Sequence, residues 1–269
     1  MAVTLEFEKK PKWLLYAIDS WIMIKRSSTH ILRNTDQLLG AFFQPIMFLV
    51  LFAAVFGGAV KESLPEGVSY LNFLMAGIIV QTVAFGSTTT AIAVCNDLQK
   101  GIVDRFRSLP MANLAVLNGH VISDLLRNAI STTVMLITGL VIGFRSSASF
   151  ADWLLIAGIL VLFTFAFSWL AAIVGVIAKS VEAVQWLTFI IIFPLTFASS
   201  AFVPAESMPK VLKAFAENQP ITQVVDAVRA LMLGAPVQNY VWTSVAWSIA
   251  ILVVAVPIAS ILFRNKSSN

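Results

Sequence analysis

Residues 38–60, LLGAFFQPIMFLVLFAAVFGGAV, run for 23 residues without one charged side chain. Few folds accept such a stretch. An apolar helix of roughly 20 residues is what the hydrocarbon core of a bilayer requires. Comparable stretches recur at 70–95, 129–144, 152–177, 184–203 and 241–263. Across the chain 58% of residues are hydrophobic, 12% are charged, and mean hydropathy is +0.86. Soluble domains carry about 25% charged residues, so too few charges are present to cover this apolar surface in water. The predicted fold class is an all-α polytopic membrane protein. It has one domain over 1–269 with six transmembrane helices. Spans and loops use up the length, leaving no room for a separate ATP-hydrolysing domain.

Between the spans the chain carries three informative segments. Residues 11–34 mix Trp13, Leu14, Ile18, Trp21 and Ile22 with Lys12, Asp19, Lys25, Arg26 and Arg33. Their helical spacing predicts an amphipathic helix lying in the membrane interface. Residues 96–112, NDLQKGIVDRFRSLPMA, are the densest polar stretch. Residues 204–236 predict two short helices, 207–217 and 222–233, resembling re-entrant elements before the last span. Ser207 is the expected cap of the first and Gly234 the expected stop of the second. Asp152 is the expected cap of the fourth span. Pro45, Pro194 and Pro257 fall inside spans, where each removes a backbone donor.

Charge sets the expected orientation. With both termini inside, the inner segments hold 13 Lys and Arg and the outer loops 5, which follows the positive-inside rule. No secretory signal is read at the N-terminus, which is therefore expected in the cytoplasm. The net charge of +4 fits this membrane-side bias and calls for no nucleic acid. Cys95, the one cysteine, is expected to be an inert buried thiol. No phosphate loop of the G-x-x-x-x-G-K-[ST] kind occurs, so the chain by itself is no P-loop ATPase. No metal-ligand spacing and no nucleophile elbow occur; His30 and His120 read as isolated. No catalytic or metal residue is assigned. The spans lack charge apart from Asp124 and Arg127, read as near one end of the third span. That argues against an ion-driven carrier.

Within 96–112, charged residues interleave with Leu98, Ile102, Val103, Phe106 and Leu109. The blend suits a helix docking on a protein partner, and equally a solvated loop. The stretches GIVDRFRSLPMANLAVLNGHVISDLLRN (101–128) and FVPAESMPKVLKAFAENQPITQVVDAVRALMLG (202–234) decide between them. They resemble the two signatures of ABC-2 type permeases, above all the daunorubicin-resistance type of multidrug permease. The resemblance covers essentially the whole chain. It implies the membrane half of an ATP-driven exporter in a bacterial or archaeal inner membrane. It also implies a second permease subunit and separate ATPase subunits that bind the ATP and Mg, with no cofactor held by this chain. It places ATPase coupling on Asp97, Lys100, Gly101, Asp104, Arg105, Phe106, Arg107, Ser108 and Pro110. Glu206, Glu217, Asp226 and Arg229 are candidates to pair on the outer side.

By the same resemblance the expected cargo is an amphipathic drug, antibiotic, lipid or glycoconjugate, and the sequence does not choose among them. Phe42, Phe43, Gln44, Gln81, Phe85, Phe193 and Phe197 are candidates for its route, although each also suits lipid contact or packing. Gly139 and Gly143 form a G-x-x-x-G in the third span, which permits close helix packing. A stand-alone carrier or channel is the alternative function. It would transport without any ATPase.

Overall fold

The computed structural model describes residues 12–33, 35–58, 60, 64, 67–103, 114–237 and 239–266. Side chains are described from residue 18 onward, except 30–38 and 41. Ten α-helices are described: α1 Lys12–Arg33, α2 Thr35–Phe56, α3 Tyr70–Gly86, α4 Thr88–Gln99, α5 Ala115–Ile142, α6 Phe150–Ile177, α7 Val181–Phe197, α8 Lys210–Asn218, α9 Pro220–Leu233 and α10 Tyr240–Lys266. No strand occurs among the described residues. Four stretches are long and apolar enough to cross a bilayer: Tyr70–Gln99 (α3 with α4), α5, α6 and α10. The apolar parts of α2, Phe42–Phe56, and of α7, Val181–Phe197, are shorter. Among the described residues, four of the six expected spans fall on full-length stretches, and the other two, 38–60 and 184–203, fall on helices whose apolar parts are shorter than a span.

Local chemistry sets the helix ends. Ser69 caps α3 by accepting from the Asn72 amide at 3.2 Å. At α6 the cap is Ser149, not Asp152. Asp152 sits at the third helical position and returns a bond to the Ser149 amide at 2.8 Å, completing a capping box. Ser207 likewise does not cap α8. It closes a 3-10 turn at Ala205–Ser207, and Pro209 precedes α8 instead. Gly234 ends α9 at φ +64 as expected. Gly143 ends α5 at φ +119, so it is a stop rather than half of a packing motif. Gly139 alone lies against a neighbouring helix, where an added Cβ would stand 2.6 Å from Met75 Cε.

α6 is the hub of the bundle. It packs on α10 and α4, and also on α5 and α9. α1 lies along α5 through Ser20, Met23 and Ser27, leaving Trp21 and Ile22 exposed. Two large apolar cores form at opposite ends. One gathers Leu74, Ile78, Met135, Phe163, Val225 and Met232 from α3, α5, α6 and α9. The other gathers Met23, Val94, Leu117, Trp169, Ala255 and Phe263 from α1, α4, α5, α6 and α10. Cys95 is buried in a third, small cluster at the foot of α7.

A polar layer separates the two large cores. It consists of the α3–α4 joint at Gly86 and Ser87, the α5 stretch Asp124–Ser131, and Ser168 of α6, and all but Gly86 and parts of α5 are buried. The joint exists because Ser87 Oγ donates back to the Ala84 carbonyl at 2.7 Å and Thr89 Oγ1 to that of Gly86 at 3.0 Å. Such back-bonding weakens the regular ladder. Ser87 and Thr89 of the Ser-Thr run thus bond to their own preceding turn, while the buried Thr90 hydroxyl has no partner among the described residues.

Candidate functional site

The polar layer opens onto a cavity of about 300 Å³ between α2, α3, the start of α4 and α5. Its walls are Gly40, Gln44, Pro45 and Phe48 from α2; Gln81, Thr82, Phe85, Gly86 and Thr89; and Arg127, Asn128 and Ser131 from α5. The α5 helix starts at Ala115, so Arg127 lies about 18 Å along it at 1.5 Å per residue. The Asp124 and Arg127 pair thus lies midway along a 28-residue helix, just where its most apolar stretch begins. Residues 115–128 mix polar with apolar, and the helix runs through them unbroken into the expected third span. Intramembrane ionisable residues are costly and mark function.

The geometry of the pair is closed. Arg127 Nη2 donates to Asp124 Oδ1 and to the Gly86 carbonyl. Ser168 Oγ donates to Asp124 Oδ2 at 2.5 Å. One ion pair therefore ties α5 to the α3–α4 joint and to α6. The Asn128 and Arg127 side chains close over Gly86: a Cβ there would stand 2.3 Å from Asn128 Oδ1 and 3.1 Å from Arg127 Nη2, so those side-chain ends would have to move. Two donors remain over. Arg127 Nε and Asn128 Nδ2 are buried without a hydrogen-bond partner among the described residues.

Of the residues proposed for the cargo route, Gln44, Gln81 and Phe85 line this cavity. Phe42 and Phe43 do not; Phe43 is 70% exposed on α2. Phe193 and Phe197 lie on α7 and join the cavity indirectly. A ladder of rings runs from Phe48 to Phe52 (5.8 Å), Phe202 (4.7 Å), Phe197 (4.8 Å) and Phe193 (4.2 Å). Phe48, Phe52 and Phe202 were not singled out in the sequence. Phe48 and Phe52 pair at i, i+4 along α2, a spacing visible in the sequence, whereas the Phe52–Phe202 contact comes from the turn at 198–204 folding back against α2, which no local spacing announces.

A second cluster centres on Asp97 of α4. Arg26 of α1 donates to it at 3.2 and 3.4 Å, and His120 Nε2 of α5 lies 3.0 Å away. Asp97 is buried and His120 half-buried, so His120 is not isolated. Gln99 Nε2 donates to the Lys179 carbonyl at 2.7 Å, joining α4 to the α6–α7 turn. Lys100 is exposed and Gly101 adopts φ +63, turning the chain out of α4. Asp104, Arg105, Phe106, Arg107, Ser108 and Pro110 lie outside the described residues.

At the other end Arg229 of α9 fastens α9 to α3. Its guanidinium donates to Asp226 at 2.7 Å, to the Ser200 carbonyl at 2.6 Å and to the Phe73 carbonyl at 3.1 Å, and lies 3.6 Å over the Phe73 ring. Burial pushes the Asp226 carboxyl up, against the pull of Arg229 and the Ser200 hydroxyl. Burial brings Arg229 down to about 10, opposed by Asp226. Glu217 pairs with Lys213 at 3.5 Å, and Glu206 is exposed. Of the four outer-side candidates, only Asp226 and Arg229 meet each other in an ion pair.

Comparison with known proteins is consistent along the chain. The family model described as ABC-2 type transporter matches residues 19–233. The chain is 33% identical to the "Daunorubicin resistance ABC transporter permease protein DrrB1" of Streptomyces coeruleorubidus, over 87% of this chain and 81% of that protein. It is 27% identical to the "Probable doxorubicin resistance ABC transporter permease protein DrrC" of Mycobacterium tuberculosis, over 95% and 91%. It is 26% identical to "Nodulation protein J" of Rhizobium meliloti, over 74% and 75%.

Proposed function

The chain belongs to the ABC-2 type transporter family, and from that premise we propose that it is the membrane subunit of an ATP-driven exporter. It is an integral membrane permease with drug-resistance permeases among its relatives. The proposal adds the rest. Separate ATPase subunits bind ATP and Mg and close on them. A second permease subunit completes the pathway. The cargo is an amphipathic drug, antibiotic, lipid or glycoconjugate. The chain crosses a bacterial inner membrane six times with both ends in the cytoplasm, and α1 lies in the interface with Trp21 and Ile22 toward lipid.

The observation that carries the mechanism is the Asp97 cluster. Asp97 joins α1, α4 and α5 immediately before the chain leaves for 102–113. A displacement of that segment by an ATPase would be felt by three helices at once. α4 then continues through the Gly86–Ser87 joint into α3, beside the cavity. In this reading Lys100, Gly101, Asp104, Arg105, Phe106, Arg107, Ser108 and Pro110 form the docking surface, while Asp97 anchors it from behind. The cavity and the ring ladder, with Gln44, Gln81, Phe85, Phe193 and Phe197, are the cargo route.

The test is co-purification of the ATPase with Phe106→Ala and Arg105→Glu, with transport measured in parallel. A buried aromatic anchor commonly contributes about 2 kcal/mol or more, roughly thirtyfold in affinity. Both variants should insert normally yet lose the ATPase or lose transport, while Lys61→Glu behaves as wild type. Full recovery and transport in both variants would remove the coupling role from this segment. The buried Asp124–Arg127 pair is the one feature that favours a stand-alone carrier. Cargo movement in vesicles holding only this chain would establish that alternative.

A further inference from the structure

We propose that α4 is a rotary element: healing or making the break at Gly86–Ser87 turns it about its own axis, and that one turn sets both the Asp124–Arg127 pair at one end and the Asp97 cluster at the other. The break is a backbone event. In a continuous helix the Thr90 amide would donate to the Gly86 carbonyl. Here it donates to the Ser87 carbonyl at 3.0 Å, three residues back. The Gly86 carbonyl accepts instead from Arg127 Nη2 and, at 3.0 Å, from Thr89 Oγ1. Arg127 thus holds the break open. The arrangement also leaves polar groups over: Arg127 Nε, Asn128 Nδ2 and Thr90 Oγ1 are buried without a hydrogen-bond partner among the described residues, whereas buried donors are ordinarily paired. The two halves have different neighbours. α3 packs chiefly on α2, α5 and α9, and α4 on α6 and α7, so α4 is able to turn while α3 stays.

The size of the turn follows from helix geometry. One residue passing from 3-10 to α form rotates the chain beyond it by about 20°, the difference between roughly 3.0 and 3.6 residues per turn. A carboxylate about 6 Å from the axis then moves about 2 Å. The bonds of Asp97 to Arg26 at 3.2 Å and to His120 at 3.0 Å do not survive such a displacement. The Asp97 cluster as it stands therefore fits the broken joint and not the healed one. Along the α4–α6 contact the surfaces are small. A Cβ on Gly175 would stand 2.4 Å from the Ala91 carbonyl oxygen, and Ala91 and Cys95 of α4 pack among Ala171 and Ala178. Small residues let backbones approach closely, and here they form the bearing on which α4 turns. An element with two arrangements, biased from both ends, is what physically couples distant sites.

The device belongs to the chain by itself, so its test needs neither ATPase nor transport, and it stands or falls apart from the exporter reading. Gly86 is the only glycine in the chain followed by serine. The full chain, in lipid vesicles, is labelled with carbon-13 at the glycine carbonyls and nitrogen-15 in serine, and solid-state NMR selects the carbonyl bonded to serine nitrogen. The native chain should give one Gly86 signal. Asp124→Leu with Arg127→Met removes the pair that captures this carbonyl and should displace the signal, which marks the released joint. Asp97→Asn with Arg26→Gln discharges the other cluster, about 16 Å farther along α4 at 1.5 Å per residue. It should move the Gly86 signal in the same direction as the first variant. Glu182→Gln, exposed at the start of α7 near the same end of the bundle, should leave the signal in place. If the Asp97 variant does not purify as a single species, His120→Phe, which keeps a ring but donates nothing to Asp97, takes its place with the same expectation. A Gly86 signal unmoved by the loss of Arg127 would overturn the capture of the carbonyl. A signal unmoved by the change at the Asp97 cluster, or moved as far by Glu182→Gln, would overturn the turning of α4.

Discussion

Replacing Asp124 by Leu should be among the most damaging single changes in the bundle. Asp124 is 2% exposed and Arg127 4%, so neither can turn to water. Without the carboxylate, Arg127 keeps only the Gly86 carbonyl, and the Ser168 hydroxyl loses its acceptor. Leaving a buried charge unpaired in this way costs about 3–5 kcal/mol. Removing the partner as well should restore most of it. In Asp124→Leu with Arg127→Met both charges are gone and similar volumes remain, and such exchanges are close to neutral or better. Unfolding by SDS in mixed micelles, followed by tryptophan fluorescence, gives the free energies. The double variant should return to within about 2 kcal/mol of wild type. The coupling between the two sites should be positive and well above the few tenths seen for independent positions. A single-variant loss under about 1 kcal/mol, or a double variant that merely sums the two singles, would refute the claim that this pair is dry and mutually dependent.

Three further outcomes follow from other parts of the molecule. Gly86→Ala places a methyl 2.3 Å from Asn128 Oδ1, so the Asn128 side chain must move; it should cost no more than about 1–3 kcal/mol, as overpacking does, read in the same SDS titration, and a larger loss would show that the side chain has no room to give. Arg229→Met removes the donors to the Phe73 and Ser200 carbonyls and frees Asp226, so proteolysis near 204–218 should become several-fold faster, and a wild-type rate would show that α9 is held by its apolar face alone. With Cys95 replaced, single cysteines at Ser63, Ser147 and Ser207 should react with impermeant thiol reagents on intact cells and one at Ser108 should not; labelling at Ser108 from outside would overturn the six-span orientation.

The membrane class and helix types were legible in sequence because they depend on local quantities. A run such as 152–177 contains no water-compatible face, so it must be a helix in lipid wherever it lies in the bundle. Gly234 ended its helix as expected, since that position needs only a left-handed backbone. Caps were less legible. Ser149 and Asp152 form a reciprocal pair, and composition alone does not say which member is the cap. Ser207 lost its place to Pro209 because the 3-10 turn at Ala205–Ser207 uses its hydroxyl first.

The site depended on contacts between elements far apart in the chain. Asp97 was singled out for its polar setting, but its partners Arg26 and His120 stand 71 and 23 residues away, and only packing of α1 and α5 on α4 makes a buried hub of the three. Phe193 and Phe197 were ambiguous among 20 phenylalanines until Phe202 and Phe52 connected them to the cavity. Local hydropathy drops around Arg127, which puts it near one end of the apolar run. Tertiary structure placed it midway along α5, where a glycine on α3 and a serine on α6 satisfy the pair it forms with Asp124. Sequence by itself determined that the chain must live in a bilayer, since apolar periodicity and charge density are properties of the chain alone. Where its few polar side chains converge was decided by packing, because an ion pair inside an apolar bundle survives only where several helices bring partners to it together.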